Sequence, residues 1–360
     1  MTHGTDLFVS KADLASTRLE GCDLSCGDGE VLLRIAHFAL TANNITYAVA
    51  GDSMGYWNFF PAPEGWGRVP VWGFAEVVES KHADVATGER VYGYVPMSTH
   101  LKVQPVKVSA KTFVDGAQHR ASLPAVYNQY QRVAAQSASD EHARMLLNPL
   151  YMTSFLIDDF LADNHFFGAR SVVLSSASSK TSLGLAFELH RKRGAAVDVV
   201  GLTSKGNVAF TESTGYYDRV LTYEALDTLD AATASVFVDM AGNGNVLRRV
   251  HEHFGDALRH SCLVGATHWQ GRGGAARATL PGPKPELFFA PSQIAKRSKE
   301  WGPDGFRDAY DAAWAAFLPD VERWLEVRSV DGLAAARAAY AELLEGNVSP
   351  SVGLVVRPGA

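Results

Sequence analysis

The feature that most constrains this chain is an alternation that begins near residue 150. Residues 150–162 carry apolar positions at helical spacing, and Ser171-Val-Val-Leu-Ser175 follows as a short apolar run. Residues 181–192 are again helical in period and are stopped by Gly194, after which 195–201 is the next apolar run. The segments 219–221, 235–239 and 262–265 repeat the theme, some with helical stretches between them. Short apolar runs without in-out alternation suit strands covered on both faces. Strands separated by helices pair in parallel, so the expectation is an α/β fold with a doubly wound parallel sheet.

The part before residue 140 reads differently. Glu30-Val-Leu-Leu-Arg-Ile-Ala-His37, residues 69–78 and Gly88-Glu-Arg-Val-Tyr-Gly-Tyr-Val95 are β-rich runs divided by Gly and Pro turns. Several such strands predict a small barrel or sandwich. A Gly/Pro-rich break at 271–285 precedes a mixed tail. In it, 331–345 is an amphipathic helix stopped at Gly346, and 352–356 is a last strand.

Composition narrows the partners. With 33 basic against 39 acidic residues the net charge is −6, which argues against nucleic acid, since phosphate binding wants a basic surface. The three cysteines make no disulfide framework, and the C-x3-C pair Cys22 and Cys26 has no second Cys or His pair at zinc-ligand spacing. No basic-then-apolar leader and no membrane-length apolar run is present, so the expected compartment is the cytoplasm and no membrane partner is expected.

The order of β-rich part, α/β part and short return resembles the medium-chain dehydrogenase/reductase superfamily, in its zinc-free quinone-reductase and enoyl-reductase branch. The segments that carry it are Glu30-Val-Leu-Leu-Arg-Ile with Thr41-Ala-Asn-Asn-Ile-Thr-Tyr47, Gly88-Glu-Arg-Val-Tyr-Gly93, Val236-Phe-Val-Asp-Met-Ala-Gly-Asn243, and the tail helix and strand. The resemblance implies a β-rich GroES-like barrel domain (1–140 with 290–360) and a Rossmann-type nucleotide-binding domain (141–289). It also implies a homodimer and a small-molecule substrate held between the two domains. Zinc-binding members place a Cys where this chain has Asn43-Asn44 and a His near Trp72, so no catalytic metal is expected.

A dinucleotide site needs a strand, a tight turn and a helix N-terminus whose amides and dipole hold the pyrophosphate. Here the turn is Ser175-Ser-Ala-Ser-Ser-Lys-Thr-Ser-Leu-Gly184, with Lys180 and Leu183 where relatives carry glycine. Ser176, Ser178, Ser179, Lys180 and Thr181 are the candidate phosphate ligands; the alternative is a Ser/Thr-rich helix cap with no ligand. The next strand ends Thr203-Ser204-Lys205 with no carboxylate for a ribose 2′-hydroxyl, which favours NADP over NAD. From the resemblance, Thr153, Gly242, Asn243 and Gly265-Ala266-Thr267 are expected around the nicotinamide end.

Tyr47 is the first candidate proton donor, with Tyr56 second and Asn43 assisting; the alternative for Tyr47 is a barrel-rim aromatic with its hydroxyl in water. Tyr56, Trp57, Phe59 and Phe60 share one loop that suits either an apolar substrate wall or a hydrophobic plug, and Tyr127, Tyr130, Phe288 and Phe289 can line a cleft or fill it. Two functions are therefore open. One is an NADP-dependent reductase of an activated alkene, quinone or carbonyl. The other is a divergent member, a ligand-binding protein or a lyase- or isomerase-type enzyme, that has lost redox chemistry.

Overall fold

In the computed structural model, which describes residues 2–135, 137–193, 197–264 and 280–359, the chain divides into two units. One comprises Met1–Leu146 with Glu326–Ala360, the other Leu147–Leu325. The first unit runs β1 (Thr2–Ser10), β2 (Thr17–Leu24), β3 (Val31–Leu40), α1 (Ala42–Val49), β4 (Trp66–Gly67), β5 (Pro70–Ser80), β6 (Arg90–Pro96), β7 (His100–Val103), β8 (Pro105–Val106), β9 (Thr112–Asp115) and β10 (Gln129–Arg132). Helix α2 (Ala138–Asp163) carries the chain onward. The second unit continues with β11 (Ser171–Ser175), α3 (Lys180–Arg193), β12 (Asp198–Thr203), α4 (Val208–Ser213), β13 (Arg219–Thr222), β14 (Ser235–Asp239), α5 (Gly244–Phe254), β15 (Leu258–Leu263), β16 (Glu286–Leu287) and α6 (Ala290–Val321). The tail returns with β17 (Glu326–Asp331), α7 (Leu333–Leu344) and β18 (Val352–Arg357).

In the first unit the main sheet has the order β17-β18-β3-β5-β6-β10-β9-β8, with β7 also pairing β3. The hairpin of β1 and β2 joins β4 in a smaller sheet. Leu33, Ile35, Phe38, Val71, Val77, Val91 and Tyr94 all point into one core that α7 closes through Ala336 and Tyr340. Trp57 is a keystone of that core. A methyl group on Gly51 would fall 2.0 Å from its Nε1, and one on Gly67 2.3 Å from its Cε3, so both positions must be glycine for the indole to enter.

The second unit holds the expected parallel sheet, in the order β13-β12-β11-β14-β15-β16. All five residues of β11 and of β14 are buried, as continuous apolar runs covered on both faces should be. Strand order reverses at β11, which has β12 on one side and β14 on the other; the crevice at the carboxyl ends of these strands is where such sheets bind ligands. Gly184 lets α3 lie against α2, since a Cβ there would be 2.8 Å from Ser154 Oγ and 3.1 Å from the Tyr151 ring.

Some local expectations need correction. The segment 41–47 is not a loop: Thr41 opens α1, its amide bonded to Asn44 Oδ1 at 2.7 Å in a capping box. The helix expected over 150–162 begins at Ala138 and passes through Pro149. The long helix α6, kinked at Gly302 (φ 77°), is absent from the sequence reading, as are the N-terminal hairpin and β17.

Candidate functional site: a serine-built turn and a tyrosine cluster

The turn after β11 is assembled by hydroxyls. Ser175 Oγ donates to Asp239 Oδ1 at 2.6 Å and accepts the Met240 and Ala241 amides at 2.9 and 3.0 Å, pinning the ends of β11 and β14 together. Asp239 Oδ1 also takes the amides of Ala241 and Gly242. Burial raises the Asp239 carboxyl above its ordinary range, against the pull of these bonds. Ser176 is left-handed at φ 50°, an uncommon conformation for a residue with a side chain. Its amide donates to the Tyr223 hydroxyl at 3.0 Å. The Ala177 amide donates to Leu202 O, and its carbonyl accepts from Tyr217 OH at 2.8 Å.

Ser178 is buried and accepts from Thr203 Oγ1 and Asn207 Nδ2, joining the turn to the end of β12. Ser179 caps α3, its Oγ accepting the Ser182 amide, and Ser182 Oγ bonds back to Ser175 O. Thr181 O receives Ser154 Oγ at 2.7 Å, one residue from Thr153, which is half-buried on α2. Lys180 heads α3; the residue keeps partial exposure, but burial of its ammonium pushes its pKa down to about 8. Ser204 and Lys205 are exposed just beyond β12. Gly242 is left-handed at φ 61°, and Asn243 caps α5 through the Asn245 and Val246 amides. Gly265, Ala266 and Thr267 lie outside the described residues.

The turn therefore brings together Ser176, Ser178, Ser179, Lys180 and Thr181 with Thr203, and places Gly242 and Asn243 at the neighbouring strand end. Close approach is secured from an unexpected side. Gly201, in β12, leaves room for Ala177: a Cβ at 201 would be 2.8 Å from the Ala177 methyl and 2.9 Å from the Tyr217 ring. Missed by sequence reasoning were Ser175, Asp239, Gly201, Tyr217 and Tyr223. The glycine could have been found as the lone small residue inside an apolar strand. The arrangement suits a dinucleotide's phosphates in three respects: the N-terminus of a 14-residue helix, a lysine in its first turn and a strand end free of carboxylate.

The other candidates form a cluster in the first unit. Asn43 and Tyr47 are four apart on α1 and so share a face, and Asn43 Nδ2 donates to Tyr47 OH at 2.6 Å. The Tyr47 ring lies 4.4 Å from Tyr56 and 5.7 Å from Tyr94, and Tyr94 lies 4.7 Å from Tyr127. Burial lifts the Tyr47 and Tyr56 phenols well above their ordinary value, so both hold their protons at neutral pH. Trp57, Phe59 and Phe60 are buried in the core, which leaves Tyr56 as the half-exposed aromatic of that loop. Tyr130 is fully buried, donating to Tyr94 O. Phe289 is exposed and Phe288 half-buried. Among the described residues no group of three or more His, Cys, Asp or Glu is placed to hold a metal ion.

A family model described as a protein of unknown function (DUF2855) matches residues 38–349. The chain belongs to this family. No curated protein matches it. Among solved structures it is similar to CurA from Vibrio vulnificus in complex with NADPH, at 15% identity over 99% of each chain and a TM-score of 0.61. It is also similar to S. aureus TarJ in complex with NADPH, at 8% identity over 99% of each chain and a TM-score of 0.56. The quinone oxidoreductase from Coxiella burnetii matches at 14% identity over 99% of each chain, with a TM-score of 0.50. At these identities the likeness is one of fold. This DUF2855 member has a β-rich GroES-like unit and a Rossmann-type parallel-sheet unit.

Proposed function

We propose that this family member is a zinc-independent, NADP(H)-dependent reductase of a small apolar or aromatic substrate bearing an activated alkene, quinone or carbonyl. The observation that carries this is the crevice at the ends of β11 and β12. A helix N-terminus with Lys180 in its first turn stands beside a strand ending in Thr203, Ser204 and Lys205, hydroxyls and a cation in place of an acid. That set favours phosphate twice, at the pyrophosphate and at a ribose 2′-phosphate. Solved relatives of the same fold, CurA and TarJ, are complexes with NADPH. When bound, the cofactor supplies the hydride.

The chain's own part is to hold and protonate the acceptor. Asn43 gives its amide hydrogen to Tyr47 OH and so orients the phenol, whose proton would go to a developing enolate or alkoxide. The raised pKa keeps that proton in place at neutral pH. Tyr56 and Tyr127 offer flat apolar surface beside it. Of the Asn43-Asn44 pair that stands where zinc-binding members carry a ligand, Asn43 is bonded to Tyr47 OH and Asn44 to the Thr41 amide and Pro70 O, which supports zinc independence. Gly265, Ala266 and Thr267 complete the proposed cofactor set, and a homodimer is the proposed assembly.

The non-redox alternative has one observation behind it: the Ser176 and Ala177 amides are engaged inside the protein, by Tyr223 and Leu202. Calorimetry separates the two. NADPH should bind at micromolar strength and NADH much more weakly, and Lys205→Ala should erase the difference. If neither nucleotide binds at millimolar concentration, the reductase proposal is wrong.

A further inference from the structure

The Ser176 amide in the turn donates to a side chain from outside the turn, the Tyr223 phenol. Ser175 is held by a carboxylate and two amides, Ala177 by the backbone of β12 and by Tyr217, and Ser179 and Ser182 by helix capping. The Ser176 N–H is instead met by the tip of a half-buried side chain that reaches in from beyond β13. The Tyr223 backbone is fixed separately. Thr222 caps the short 3-10 turn Tyr223–Thr228, and Arg249 of α5 donates to Tyr223 O at 2.9 Å. Rotation about the tyrosine side-chain torsions can withdraw the phenol without moving the main chain.

The place of this contact matters as much as its form. The Tyr223 hydroxyl meets Ser176 at the end of β11, and burial, with the charge of Asp239 at the end of β14 adding to it, raises the phenol's pKa. It thus stands in the crevice where strand order reverses, at the first amide of the turn that opens α3. A phenol oxygen, like a phosphate oxygen, accepts a hydrogen bond from such an amide.

We propose that Tyr223 is a gate on the nucleotide site: its hydroxyl occupies the Ser176 amide in the nucleotide-free protein and is displaced by a phosphate oxygen of the dinucleotide. The proposal rests on the NADP(H) reading and adds a specificity consequence. A ligand must bring an acceptor strong enough to replace a neutral hydroxyl, which a charged phosphate does and a sugar or amide does less well. The phenol also keeps a half-buried donor satisfied when no nucleotide is present, so the left-handed turn need not rearrange.

Tyr223→Phe keeps the ring and removes the acceptor. NADPH titrated by calorimetry should bind the variant roughly three- to tenfold more tightly than wild type, the equivalent of one neutral hydrogen bond no longer in competition. The Ser176 amide, followed by nitrogen-15 NMR without nucleotide, should shift in the variant, and should lose that difference when NADPH saturates both proteins. A thermal melt of Tyr223→Phe checks that the fold is intact. If wild type binds NADPH and the variant binds it equally or more weakly, the phenol is a prop and the gate is wrong while the dinucleotide site stands. If neither protein binds NADPH, the gate and the reductase proposal fall together.

Discussion

Gly201→Ala tests whether the glycine of β12 does the work that glycines inside the turn do elsewhere. The added methyl would lie 2.8 Å from the Ala177 Cβ and 2.9 Å from the Tyr217 ring, whereas carbon atoms rest at about 3.5–4.0 Å. Neither side yields easily. Gly201 is paired with Leu174 and Val220 across two strand ladders, and Ala177 is tied through both its amide and its carbonyl. The expected cost is that of overpacking a filled site, about 1–3 kcal/mol, read as a lowered midpoint in urea unfolding with unchanged slope. Ala177→Gly alone should cost about 0.5–1 kcal/mol through backbone entropy. The double variant moves the methyl from the turn to the strand and relieves the shorter contact, so it should be more stable than the sum of the single changes by about 1 kcal/mol. Tyr217 still crowds position 201, which makes the rescue partial. A Gly201→Ala protein within about 0.5 kcal/mol of wild type, or a double variant that is merely additive, would refute this account.

Lys180 carries a proton-linkage signature. Its pKa, pushed down to about 8 by burial, should return toward the ordinary value of about 10.4 when a phosphate stands beside it, so binding takes up protons. Uptake should be about half a proton at pH 8 and about a tenth at pH 7, and NADPH affinity should fall as pH rises above 8. Calorimetry in buffers of different ionisation enthalpy measures this, and Lys180→Met should abolish it; an uptake that survives in Lys180→Met places the titrating group elsewhere. In the first unit, fully buried Arg120 meets Asp115 Oδ2 at 2.7 Å and Tyr130 OH at 3.1 Å. Arg120→Met leaves that carboxylate buried without its cation, and unfolding should become easier by about 3–5 kcal/mol; a loss under 1 kcal/mol would mean that water reaches Asp115.

How much of this could be read in the sequence depended on range. The parallel sheet was legible because Ser171-Val-Val-Leu-Ser175 and Ser235-Val-Phe-Val-Asp239 are buried throughout, and burial writes itself into composition. Helix α1 was not, because Asn43 and Asn44 are poor helix formers, and the capping bond from Asn44 to the Thr41 amide outweighs that propensity. Helix α6 was hidden by Pro291, Gly302 and Gly305, which read as breakers; the first stands at the start of the helix, where proline is tolerated, and Gly302 forms the kink. At the site, the identity of the turn residues was legible and their partners were not. Nothing local says that Tyr223 reaches Ser176, 47 residues away, or that Ser175 will hold Asp239, 64 residues away.

Those long-range partners change what the missing glycines mean. A glycine-rich turn approaches phosphate by having no side chains of its own to accommodate. This turn keeps its side chains and finds room in a neighbouring strand instead, Ala177 against Gly201. Its serines are then spent on construction: Ser175, Ser178, Ser179 and Ser182 each make a bond that fixes the turn or its helix. In the proposed reading, recognition falls to the helix N-terminus, to Lys180 and to the amide that Tyr223 covers. Such a site is rigid where it is built from serine and adjustable at one tyrosine, so selectivity for nucleotide should respond far more to Tyr223 and Lys180 than to Ser178→Ala or Ser182→Ala, whose cost should appear in stability.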